Sequence, residues 1–150
     1  MTSTLSDTFR QSKGKPVNYN GILVYSIFGI IIEAGIHKCE FRRFRADMKK
    51  ISGMHFKCQG GSIEVNGIQT GQMTLWADTS PEMVQFNVHA KKKCLLKVWN
   101  KWRDGNLHQA WVGNSGMTID AKNSRFTFEC SQGFGAVDFS AFVVELSLID

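Results

Sequence analysis

The stretch EMVQFNVHA (residues 82–90) alternates without a break. Val84, Phe86, Val88 and Ala90 fall on one side, and Gln85, Asn87 and His89 on the other. A period of two with one apolar face marks a half-buried β-strand; a helix would scatter the same residues around its axis. The pattern recurs along the chain. RFTFEC (125–130) sets Phe126, Phe128 and Cys130 against Arg125, Thr127 and Glu129. FSAFVVELSLI (139–149) offers Phe142, Val144, Leu146 and Leu148 as a core face, and GSIEVNGI (61–68) alternates Ile63 and Val65 with polar residues. ILVYSIFGIII (22–32) is apolar on both faces, as suits a strand buried on both sides or one that bends at Gly29. Short strands separated by Gly, Asn, Asp and Ser turns predict an all-β chain: an antiparallel β-sandwich of jelly-roll-like type.

One segment breaks the period. In EFRRFRADMKKI (40–51), Phe41, Phe44, Met48 and Ile51 recur at helical spacing, which predicts one short amphipathic helix near 41–51 with Arg42, Arg43, Arg45, Lys49 and Lys50 on its far side. The polar opening of the chain reads as a flexible tail over residues 1–20, leaving a single sandwich domain over 21–150. A length of 150 residues is enough for one full hydrophobic core.

The net charge is +5, and the cations gather in segments 38–50 and 91–103. Such clustering suits either a solvated basic face or an anionic partner. Cysteines 39, 58, 94 and 130 form no CxxC pair and the four histidines are scattered, so neither a metal site nor a cofactor is expected. No secretory leader is evident and the longest apolar run is too short for a bilayer, so the expectation is a soluble, cytoplasmic protein with free thiols and no membrane partner. Nucleophile-elbow, P-loop and dinucleotide fingerprints are missing. The acid of most interest is Glu33, set in an apolar run where burial would raise its pKa. It carries the one enzymatic reading, that of an enzyme with a buried acid.

The candidate site lies in KVWNKWRDGNLHQAWVGNSGM (97–117), which holds three of four tryptophans. Alternation puts Lys97, Trp99, Lys101 and Arg103 on one face and Leu96, Val98, Asn100 and Trp102 on the other. Asp104-Gly105 signals a hairpin. A two-residue loop there opposes Trp102 to Leu107 and sends Trp111 to the core face. A three-residue loop of 103–105 opposes Trp102 to Asn106 and brings Trp111 beside Trp99 and Gln109. The second register would build a binding face from Lys97, Trp99, Asn100, Lys101, Arg103, Gln109 and Trp111. Indoles would stack on sugar rings and the polar groups would fix hydroxyls or charges. The expected function is thus a non-catalytic binding module for a polar or anionic, carbohydrate-like ligand. The alternatives are a nucleic-acid or acidic-partner binder using 38–50 and 91–103, and the enzyme at Glu33. The plainer alternative is that Trp99 packs under a loop and the lysines shield an edge.

Overall fold

A computed structural model of the chain describes residues 3–149. The elements, in chain order, are α1 (Leu5–Gln11), β1 (Val17–Tyr19), β2 (Ile22–Val24), β3 (Phe28–Ile32), β4 (Gly35–Ala46), β5 (Ile51–Gln59), β6 (Ser62–Val65) and β7 (Ile68–Thr70). They continue with β8 (Gln72–Trp76), β9 (Met83–Ala90), β10 (Cys94–Asp104), β11 (Leu107–Gln109), β12 (Gly116–Lys122), β13 (Arg125–Ser131) and β14 (Phe142–Leu148). One layer has the order β12-β13-β14-β4-β9-β6-β7; the other runs β11-β10-β5-β8, with β3 pairing β10 beside β11. All pairings are antiparallel, and the chain passes repeatedly from one layer to the other, as in jelly-roll-like sandwiches.

The inner faces meet where the alternation predicts. Phe41 of β4, Phe56 of β5 and Phe86 of β9 are buried, with ring centroids 5.5 and 5.3 Å apart along that chain of contacts. Phe128, Phe142, Val144 and Leu146 complete this core. The turns are glycine chemistry. Asn20-Gly21 and Asn66-Gly67 both hold positive φ at both residues, the backbone of a tight type I′ hairpin. The apolar run 22–32 bends at Ser26-Ile27, between β2 and β3, and Gly29 lies inside β3.

Two expectations are corrected. The segment 41–51 is not helical: β4 runs to Ala46 and β5 begins at Ile51. A β-bulge explains the misleading spacing. Val143 opposes Arg45 and Val144 opposes Arg43, so Phe44 is the extra residue, turned outward and 57% exposed. Met48, 53% exposed, lies in the connection that follows, so the apolar period of 41–51 joins a bulge to a turn.

The opening segment is not a loose tail either, although Met1 and Thr2 lie outside the described residues. Thr4 caps α1 in a capping box with Asp7. Leu5 and Phe9 are buried with Val17 and Val24 in a second, smaller apolar cluster. Asn114 holds the helix from across the fold: its Oδ1 accepts from the Leu5 amide at 3.1 Å, and its Nδ2 donates to the Gly135 carbonyl at 2.8 Å.

Candidate functional site

The hairpin turn is Gly105-Asn106, with Gly105 at φ +62° supplying the left-handed first position of a two-residue loop. Trp102 therefore opposes Gln109, a pairing in neither register weighed from the sequence. Gln109 shares the Trp102 side, away from Trp99. Asn100 also faces inward: it is 3% exposed and its Nδ2 donates to the Ser131 carbonyl at 3.0 Å. Both leave the expected site. β11 then ends, and Trp111, at φ +59°, takes a backbone conformation that a bulky side chain rarely adopts. That turn lays its indole over Trp99, ring centroids 5.0 Å apart, and Nε1 donates to the Ser26 carbonyl at 3.1 Å.

The cross-strand register supplies the rest of the surface. Trp99 lies opposite His55 of β5, and His55 opposite Thr74 of β8. One row on, Lys101 opposes Gly53 and Gly53 opposes Trp76; a Cβ at Gly53 would sit 2.6 Å from the Trp76 ring, so the indole lies on bare backbone. In the other direction Lys97 opposes Lys57, with Gln72 beyond. Arg103 lies over the Trp76 ring at 4.9 Å and pairs with Asp78; Lys101 sits 5.7 Å from the same ring. Lys97, Trp99, Lys101, Arg103 and Trp111 thus share one face with His55, Thr74, Gln72, Trp76 and His108, which opposes Arg103 and lies 5.0 Å from the Trp76 ring.

The rings form a stack. His55 lies 4.5 Å from Trp99 and Trp111 lies 5.0 Å from it, both rings tilted against the indole. Trp99 is therefore only 9% exposed and Trp111 is 44% exposed, so the accessible indole is Trp111. His55 is fixed at both nitrogens. The Gln72 amide oxygen at 2.9 Å can only accept, which assigns the Nε2 proton; Nδ1 then accepts from the Thr74 hydroxyl at 2.6 Å. Burial pushes the His55 pKa below its ordinary 6.5; the Gln72 bond opposes this, and Lys101 and Lys57 add to the lowering.

Trp111 also lines a cavity of about 320 Å³ with Ser6, Phe9, Arg10, Gly14, Ser26 and Ile27, where α1 meets the start of β3. Its volume is at the low end for a small-ligand site, and its walls are mainly apolar with a few polar groups. A larger concavity of about 700 Å³ opens at the far end of the sandwich beside His89 and Lys91. There His89 is already paired with Glu64 at 2.7 Å, and no Phe, Tyr or Trp is among the lining residues, so the Trp111 cavity is the better-equipped site.

The remaining expectations resolve as follows. Glu33 is exposed and pairs with Lys93 at 3.7 Å, which removes the buried acid from the enzymatic reading. The basic segments separate: Arg42, Arg43 and Arg45 belong to β4 in the seven-stranded layer, and 97–103 to β10 in the other. None of the four cysteines forms a disulfide and all four are buried; burial and the neighbouring Cys94, at 3.7 Å, push the Cys58 thiol up to about 12. Among the described residues no group of three or more His, Cys, Asp or Glu could hold a metal ion, and no helix is long and apolar enough to cross a membrane. Comparison with family models, curated proteins and solved structures finds no match for this chain.

Proposed function

We propose that this chain is a non-catalytic binding module for a polar or anionic, carbohydrate-like ligand seated on Trp111. The observation that carries the reading is the posture of that one side chain. An indole 44% exposed is held by a left-handed backbone, backed by Trp99 and pinned by its Nε1 bond to Ser26. A rigid, half-exposed aromatic loses little entropy when a sugar ring stacks on it. Ser6 and Arg10 at the cavity rim supply polar groups for hydroxyls, and Lys97 and Lys101 supply positive charge nearby. Left-handed backbone at a residue as bulky as Trp111 is costly, and strain of that kind clusters at ligand clamps.

Tryptophan emission titrated with chitotetraose, cellotetraose and a heparin-derived tetrasaccharide tests the reading. At least one sugar should shift or quench emission with a dissociation constant in the micromolar-to-millimolar range, and Trp111→Gly should abolish the response. If none of the sugars perturbs emission at millimolar concentration, the reading is lost.

A further inference from the structure

We infer that the ligand carries a sulfate or carboxylate group, held between Lys57 and Lys97; this rests on the saccharide reading above. The two lysines lie directly opposite each other on β5 and β10. At that position the Cβ atoms of antiparallel neighbours are roughly 5 Å apart, and like charges there repel. Among the described residues no carboxylate relieves them. Their neighbours in the same row are Gln72 and Gly29, and the outward positions of β3, β5, β8 and β10 hold no carboxylate. Asp78, beyond the end of β8, is taken by Arg103. Among the described residues Lys57, Lys97 and Lys101 have no acidic partner. Lys57 and Lys101 also contribute to the lowered pKa of His55, so their field reaches the middle of the stack.

An oxyanion between two ammonium groups accepts a charge-assisted hydrogen bond from each and turns the repulsion into attraction. Lysines suit this task because their point charges impose no planar geometry on the anion. Lys97 is two residues from Trp99 along the strand, about 7 Å. That is a reach an acidic substituent covers when its own or the adjoining ring rests on the neighbouring indole. The stack also argues against single-stranded nucleic acid. Successive bases need successive open rings, and Trp99, packed against His55 and Trp111, is only 9% exposed.

The test compares the neutral chitotetraose with the heparin-derived tetrasaccharide, in the intact chain and in Lys57→Gln/Lys97→Gln, with a ten-nucleotide oligothymidylate alongside. The sulfated sugar should bind about tenfold or more tighter than the neutral one at low salt, and the double variant should erase that preference. The double variant should also melt at a higher temperature, since it removes the repulsion, which shows that the change does not act by unfolding. Equal binding of the two sugars, with no effect of the variant, overturns this inference and leaves the binding module standing. Silence toward both sugars overturns the two together. Oligothymidylate binding tighter than either sugar, and lost in the double variant, would keep the anion site and overturn its assignment to a saccharide.

Discussion

The outer faces of the two layers treat their charges in different ways. On the seven-stranded layer several basic side chains find a local partner. Arg42 meets Glu40 at 3.3 Å, Arg125 meets Glu145 at 3.7 Å, His89 meets Glu64 at 2.7 Å, and Arg45 donates to the Ser140 carbonyl at 2.7 Å. On the other layer Lys57, Lys97 and Lys101 meet no carboxylate, and a stack of aromatic rings stands among them. The first face is a solvated wall that screens its own charge. The second tolerates repulsion and backbone strain, and such local inconsistency is the usual signature of a surface kept for a partner.

The sharpest way to break this contrast is to take the stack apart. Trp99→Ala removes a buried indole and should cost about 3 kcal/mol, read from the urea midpoint. Trp111→Gly should cost less than about 1 kcal/mol, because glycine accepts the left-handed backbone and regains part of what the lost contact gave. Equal losses for the two would make the stack a structural device with no ligand. A smaller effect comes from pH. The His55 pKa lies below its ordinary 6.5, so protonation favours the unfolded chain. Its contribution is complete above pH 6.5 and is lost as pH falls from there toward the folded value. Thermal melts should show the intact chain losing more stability than His55→Gln across that window; parallel curves would mean the ring is not held neutral by its surroundings. Smallest of all, Arg42→Ala on the opposite face should change stability by no more than about 0.5 kcal/mol, as for other exposed ion pairs. A loss several times larger would mean that the pairing on that face supports the fold itself.

Alternation alone revealed β9, β13 and β14, because each has one face in the core and one in water. It also placed Lys97, Trp99, Lys101 and Arg103 together. It failed where the period is interrupted: the bulge at Phe44 imitated a helix, and Trp111 reaches Trp99 through a left-handed residue after β11 and not through strand pairing. Asn100 was a misassignment that its own spacing could have prevented, since it shares the parity of Val98 and Trp102. His55 and Trp76 were out of reach for another reason. Their spacing marks them as outward-facing, with Lys57 on β5 and with Gln72 and Thr74 on β8, yet only the pairing of distant strands sets them beside Trp99. The helix near the start did leave a signal, Thr4 followed by Asp7, within a segment whose polar composition suggested a tail.

Asn114 has a bearing on when the Trp111 cavity forms. Its side chain grips the Leu5 amide across a sequence separation of 109 residues, and the Ser6 amide donates to the Gly113 carbonyl beside it. One wall of the Trp111 cavity thus comes from residues 6–14 and the other from residue 111. Contacts of such long separation close late in folding, after the local hairpins. A partly folded chain has the indole without its cavity, so the proposed ligand capture would wait until the two distant segments have met.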